Sequence, residues 1–374
     1  MVTITQVEAI PILVPLTTGL TTKTAHGEHI DSPYVVVRVH TDEGITGVGE
    51  ATLAPRWSGE TSPGCVTVIR DLLDPVLRGA NALDVNVCRQ KIEGALRLNP
   101  FTKAAVEMAI WDVAGKAAER PVCRMLGGRL RDELPMKMVV GAFPVEKAVA
   151  LAQRFLDGGS RHLKVKVGLD PAQDVARVAA VRELAGPDVG ISVDGNCGWS
   201  VPVACRTLPL LEAFDVRLAE QPIRANDVAD WGRLRAATSI PLMADESVFS
   251  LADAWRLVSD RAVDVLAIYP GKHGGLLGAL EIANLARAAG IVCSMGSNLE
   301  LGIGTAAMLH LGATAEAIDN ETYPGDYLGP LYHEANMITE PLRLGPETAK
   351  VPEGPGLGVE LDEDALQRYA VTAG

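Results

Sequence analysis

Hydrophobic and polar positions alternate through the opening stretch MVTITQVEAIPILVPL. That period places side chains on two faces of a strand, and Thr3–Val14 is read as one. The stretch YVVVRVHTDEGITGVGEA reads as a hairpin with Asp42, Glu43 and Gly44 at its turn. The pattern then changes to helical stretches over Val66–Leu77, Ala82–Leu98 and Thr102–Ala118. Strands followed by helices predict an α+β unit. After RMLGG a different beat begins. Short apolar strands are expected at Lys137–Val140, Leu163–Val167, Ile191–Asp194, Arg217–Glu220, Leu242–Asp245, Val263–Tyr269, Val292–Met295 and Ala317–Glu321. Helical stretches such as VEKAVALAQRFLDGG and GALEIANLARAAG lie between them. Eight strand–helix beats at roughly 25-residue intervals predict a (β/α)8 barrel. A doubly wound open sheet would ask for a Gly-rich phosphate loop after its first strand, and VVGAFPVEKA is not one.

The reading is therefore an α/β chain: an α+β capping domain over residues 1–125, a modified (β/α)8 TIM barrel over 126–338, and a C-terminal segment, 339–374, returning to the cap.

Composition narrows the function. A net charge of −13 without a Lys/Arg-rich run argues against nucleic acid and against an anionic membrane surface. Six scattered cysteines with no CxxC pair favour reduced thiols and a cytoplasmic location. No basic leader precedes the first strand, and no apolar run has the length of a membrane span.

Barrel enzymes carry their chemistry at the C-terminal ends of the strands. Here the second strand ends in HLKVKVG, the third in ISVDGN, the fourth in LAEQP and the fifth in LMADES. Three successive strands thus bring Asp194, Glu220 and Asp245 to one rim. Gathered carboxylates repel one another unless a cation joins them. A set built only of oxygen suits Mg²⁺, or Mn²⁺, rather than Zn²⁺. Lys164 and Lys166 are two residues apart on one strand, so they share a face, and the flanking Leu163, Val165 and Val167 read as buried on the other. An ammonium crowded by a second one loses its proton more readily. The expectation is that such an amine acts as a general base on the carbon beside a substrate carboxylate.

These motifs together, KVK, SVDGN, AEQP, ADES, the GG-containing end of the sixth strand and GSNLELGIG, resemble the enolase superfamily, in its muconate lactonizing enzyme subgroup. The resemblance covers nearly the whole chain. It implies a cap, a barrel and a C-terminal return, a divalent metal and a homo-oligomer acting on a small carboxylate. It implies Lys166 as the base, with Lys164 contacting the substrate carboxylate and tuning it. Asp194, Glu220 and Asp245 become the metal ligands, with Glu246 as the alternative acid of the fifth strand and Asn196 behind them. The sixth strand departs from the pattern. Relatives with two lysine bases read KxxKxGG there, and this chain reads YPGKHGG. Tyr269 therefore stands at the position of the opposite-face lysine, and Lys272 at that of the second lysine. Asn298 stands where mandelate-racemase-like members place a His.

One lysine suffices for a cycloisomerase or a syn elimination, whereas a racemase needs a group on each face. A phenol at Tyr269 lowered in pKa by its surroundings, or Lys272 on a reshaped loop, is the alternative partner. The expected reaction is a cycloisomerisation. The alternatives are an epimerase or dehydratase of a small amino or hydroxy acid, and an inactive barrel that binds a metal–carboxylate ligand. Two Gly- and Thr/Ser-rich loops, Thr17–His29 and Leu53–Ser62, are expected to close over the mouth and offer His26, Lys23, Arg56 and Trp57 to the substrate. Asn298 and Glu300 are expected in the pocket.

Overall fold

The computed structural model describes residues 1–372. Strand Ile4–Pro15 pairs antiparallel with Asp31–Thr41, which pairs antiparallel with Thr46–Thr52 across the Asp42–Gly44 turn. The long helix Pro100–Ala117 lies across this sheet, and every residue from Phe101 to Gly115 is buried. Such uniform burial fits a helix enclosed on all sides. It packs against the hairpin and against the Gly271–His273 turn of the barrel. Close approach to the sheet depends on glycine. A Cβ on Gly49 would stand 1.9 Å from the Ala105 carbonyl oxygen. The helix expected over 66–77 is interrupted: Ser62–Val68 passes through a wider turn at Ile69–Leu73 into Asp74–Leu77. Pro75 has no N–H to continue the ladder there.

Seven parallel strands follow in sequential order: Met138–Val140, His162–Lys166, Gly190–Asp194, Val216–Glu220, Leu242–Ala244, Val265–Ile268 and Val292–Met295. The eighth expected strand, Ala317–Glu321, is reduced to a single parallel bridge between Ile318 and Cys293. The chain turns instead at Asp319, whose carbonyl accepts from Tyr323 N and whose carboxylate accepts from Thr322 N. Pro324 then offers no donor to a ladder. The ring closes one step later, where Gly325 bridges Met136 and Asp326 N donates to the Met295 carbonyl.

The C-terminal stretch first pairs Thr348–Lys350 with Glu133–Pro135 at the barrel entrance. Helix Glu363–Tyr369 then reaches the first strand, where Val371 N donates to the Pro11 carbonyl. Among the described residues no helix is long and apolar enough to cross a membrane.

Candidate active site

Strand register builds the site. Lys166 pairs with Asp194, and Asp194 with Glu220. Neighbours in a parallel ladder point the same way, so these three side chains stand level on the inner face. Glu220 pairs with Met243, and Asp245 lies two residues farther on. Lys164 occupies the layer below, paired with Ser192. Leu163, Val165 and Val167 are buried on the other face. After the second strand the chain leaves through Gly168 at φ +98°, where a Cβ would stand 2.2 Å from the Gly195 carbonyl oxygen. Gln221 fixes the next rim loop: its Oε1 accepts from Asp245 N and Ser247 N, and its Nε2 donates to Ile223 O and Ser247 Oγ.

These side chains open into a cavity of about 530 Å³ lined by Lys164, Lys166, Asp194, Asn196, Glu220 and Asp245. Lys166 Nζ donates to Asp194 Oδ2 at 2.5 Å and to Asn196 Oδ1 at 2.8 Å. Lys164 Nζ donates to Glu220 Oε2 at 3.0 Å and to Asp326 Oδ2 at 2.5 Å. Lys272 Nζ donates to Asp245 Oδ1 at 2.5 Å, to the Asp245 carbonyl and to the Ala267 carbonyl.

Charge and burial compete at each group. Burial and then the neighbouring Asp194 push Glu220 up to about 8. Burial, against the pull of Lys272, pushes Asp245 up to about 6, with Glu246 and Asp194 adding to the rise. Asp194 is also buried, but Lys166 and Lys164 hold it below the ordinary carboxylate range. Lys164 departs from the sequence expectation. Burial disfavours its charge, yet Asp326, Glu220 and Asp194 hold its pKa well above that of a free lysine. The carboxylates outweigh the second lysine, so Lys164 stays an ammonium.

Other expected site residues divide into those on the cavity wall and those behind it. His26, Arg56, Trp57 and Asn298 line the cavity. The first expected lid folds as a small hairpin, Thr22–Thr24 with Gly27–His29. His26 Nε2 lies 3.1 Å from Glu246 Oε1, and Arg56 Nη1 donates to the His26 carbonyl at 3.0 Å. Glu246 stands behind the wall, with Oε1 also accepting from Asn196 Nδ2. Glu300 is buried behind the seventh strand end, where its Oε2 accepts from Ser297 Oγ and Asn298 N. It shapes the loop that presents Asn298.

Lys272 is fully buried beneath Asp245 and absent from the cavity wall. Tyr269 is fully buried as well, and its hydroxyl has no hydrogen-bond partner among the described residues. Trp57 covers it, with ring centroids 6.1 Å apart, and also packs on Phe249 at 5.0 Å and Phe101 at 5.6 Å. The expectation that this phenol titrates low is reversed. Burial, then Asp245, Glu300 and Glu246, drive its pKa well above the ordinary value. The sequence reading missed Asp326, which lines the cavity and grips Lys164. The available signal was GDYLGP, an acid just after the last barrel beat.

Whether the acids suit a divalent cation is tested by their surroundings. Among the described residues no three His, Cys, Asp or Glu side chains form a closed cage, because each rim carboxylate turns to an ammonium. The donor chemistry nevertheless fits. Asp194, Glu220 and Asp245 share one cavity, supply only oxygen, and Asp194 raises the pKa of both others. That mutual repulsion is relieved by a hard cation.

Comparison with known proteins places this geometry. Residues 2–127 match the family model described as mandelate racemase / muconate lactonizing enzyme, N-terminal domain, and residues 147–365 match the enolase C-terminal domain-like model. The chain is 36% identical over 341 residues to a chloromuconate cycloisomerase of Cupriavidus pinatubonensis, covering 90% of this chain and 91% of that protein. It is 30% identical to an N-succinyl-L-Arg/Lys racemase of Bacillus cereus, covering 93% of each chain. Among solved structures, a muconate lactonizing enzyme from Pseudomonas fluorescens complexed with muconolactone superposes with TM-score 0.95 at 32% identity, covering 99% of this chain and 100% of that one.

Proposed function

The chain belongs to the enolase superfamily, in its muconate lactonizing enzyme subgroup, and from that premise we propose that it removes, or returns, the proton α to a substrate carboxylate by one-faced, cycloisomerase-type chemistry. Asp194, Glu220 and Asp245 would hold Mg²⁺, with Mn²⁺ as a substitute. Bound there, the ion supplies positive charge against which an α-carbon acid becomes an enediolate. Lys164, held as an ammonium, orients the substrate carboxylate from below. Lys166 Nζ, freed from Asp194 and steadied by Asn196 Oδ1, carries the proton. The lid residues His26, Arg56 and Trp57 close the mouth and keep water from the carbanion face.

The observation that carries this reading is that both lysines lining the cavity come from one strand. The opposite position holds Tyr269, whose neutral phenol is sealed behind Trp57. A racemase must deliver a proton to the second face, and a buried phenol of raised pKa is poorly suited to alternate as donor and base.

The test is incubation with Mg²⁺ and a library of small carboxylic acids, including unsaturated dicarboxylates, in D₂O, followed by NMR, with Lys166→Met as control. Lactone formation with loss of a double bond supports cycloisomerisation. Deuterium incorporation with inversion at the α-carbon overturns the one-faced reading in favour of an epimerase. Absence of exchange and turnover across the library leaves the ligand-binding barrel.

A further inference from the structure

The barrel encloses a third lysine of the inner face, at the end where no chemistry is expected. Lys137 precedes the first barrel strand and is 4% exposed. Its Nζ donates to the Pro324 carbonyl and lies 3.3 Å from Asp326 Oδ1. Among the described residues that oxygen has no hydrogen-bond partner of good geometry, so the charge of Lys137 is what faces it. The other carboxylate oxygen, Oδ2, accepts from Lys164 at 2.5 Å. Lys164 continues to Glu220 at 3.0 Å and to Asp194 at 3.6 Å. Lys137, Asp326 and Lys164 thus form a line of alternating charge that ends on two carboxylates of the rim.

Backbone contacts fix the line. Lys137 N donates to the Gly325 carbonyl at 3.1 Å, Gly325 N to the Pro135 carbonyl at 2.9 Å, and Asp326 N to the Met295 carbonyl at 3.0 Å. Burial alone would raise Asp326, but Lys137, Lys164 and Lys166 hold it below the usual carboxylate range. A buried ammonium costs several kcal/mol of desolvation, and an apolar side chain of similar volume would fill the same place without it. Stability of the fold therefore gives weak reason for a lysine here. The charge count gives a stronger one. Five acidic side chains, Asp194, Glu220, Asp245, Glu246 and Asp326, gather with four lysines, Lys137, Lys164, Lys166 and Lys272, all of them buried. With all five acids ionised and all four lysines charged the set carries one net negative charge, and a divalent cation with one substrate carboxylate adds the single positive charge that neutralises it; ion binding would draw the proton from Glu220, which burial pushes up to about 8.

We infer that Lys137 is a positioning residue that sets the electrostatic balance of the rim. By sharing the charge of Asp326 with Lys164, it weakens the hold of Asp326 on Lys164, whose ammonium also reaches Glu220 and would meet a substrate carboxylate, and it limits how strongly the rim holds a divalent cation.

The inference rests on the metal-site reading above and is tested without turnover, by titrating the purified full-length protein with Mg²⁺ alone in a calorimeter. Lys137→Met keeps the volume and leaves Asp326 paired with Lys164. It should bind Mg²⁺ about fivefold or more tightly than wild type, because a like charge near the ion is gone. Asp326→Asn should bind about fivefold more weakly, for the opposite reason. The double variant should return to within about twofold of wild type, since the removed charges cancel. A lysine that merely packs the barrel would weaken binding or leave it unchanged, and Asp326→Asn would not restore it. That result overturns the role of Lys137 while leaving the metal site intact. Should Lys137→Met fail to fold, the Asp326→Asn and double variants still decide: without the weakening, or without its cancellation, the inference fails. Wild-type protein that binds neither Mg²⁺ nor Mn²⁺ overturns the metal-site reading itself.

Discussion

Glu50 joins cap to barrel, and two large effects oppose each other at its carboxylate. It sits in the second arm of the cap hairpin, 1% exposed. Its Oε1 accepts from Leu301 N at 2.6 Å and its Oε2 from Gly304 N at 3.0 Å. These donors open helix Gly302–Thr314, directly after the loop that carries Asn298 and Glu300. A helix N-terminus favours the anion, but burial disfavours it more and pushes Glu50 up to about 8 from 4.5. The folded pKa lies above the unfolded one, so the native state holds a proton that the unfolded chain loses. The contribution to stability is therefore full below pH 4.5, declines as pH rises, and levels off above pH 8. Between pH 5 and pH 8 the loss amounts to about 3 to 4 kcal/mol. Glu50→Gln cannot titrate. It keeps one of the two acceptors, and the cost of the lost hydrogen bond is independent of pH. Urea melts of both proteins across pH 5–8 should therefore show the Glu50→Gln variant gaining on wild type by about 3 to 4 kcal/mol. Parallel curves would mean that Glu50 is ionised throughout and that the helix N-terminus outweighs burial, which refutes the reasoning.

Lys166→Met should lower deuterium exchange at the substrate α-carbon by about a thousandfold in protein that still melts cooperatively; exchange within about tenfold of wild type removes Lys166 from the role of base. Gly49→Ala should cost about 2 to 4 kcal/mol in urea melts, since its Cβ would meet the Ala105 carbonyl oxygen at 1.9 Å; a neutral substitution would show that the cap helix does not need this close approach. Trp57 is half-buried in the lid, so Trp57→Ala should raise KM about tenfold with a melting shift of a few degrees. A large melting shift with unchanged KM would assign Trp57 to packing.

Much of the rim was legible because two simple rules act together there. Strand parity places Lys164 and Lys166 on one face, and chemistry in a barrel gathers at strand C-terminal ends. Asp194, Glu220 and Asp245 obey both. The same rules misled at the eighth beat. Placing a strand over 317–321 makes Glu321 its terminal acid, but Glu321 lies beside Glu212, Asp215 and Arg217, at the far end of the barrel. The acid that reaches the cavity is Asp326, beyond the Asp319 turn and Pro324. Lys137 was illegible for a related reason: it lies at the entrance of its strand, where the rim rule assigns nothing. Its partner is distant in sequence and comes near only when the ring closes. Glu50 and Glu107 look like ordinary charged positions of a hairpin and a helix. Glu107 in fact accepts from Leu276 N and Leu277 N of a barrel helix, and no local pattern encodes a backbone donor in another domain.

Overall likeness cannot choose the reaction. A chloromuconate cycloisomerase at 36% identity and an N-succinyl-L-Arg/Lys racemase at 30% both align over at least 90% of this chain. Six percentage points of identity spread over a whole fold say little about one proton. What separates the chemistries is which faces of the bound substrate meet a group able to exchange a proton. In this chain Trp57 lines the cavity, backed by Phe249, Phe101 and Tyr269. Burial first, and then four carboxylates, Asp245, Glu300, Glu246 and Glu220, hold the Tyr269 phenol neutral, and the same carboxylates would pull an amine at that position toward charge. The cluster that would hold a lysine there as a charged proton donor keeps a tyrosine protonated and neutral. The reaction class follows from the side chain at 269 and its surroundings, and a single product with inverted stereochemistry would outweigh any degree of overall likeness.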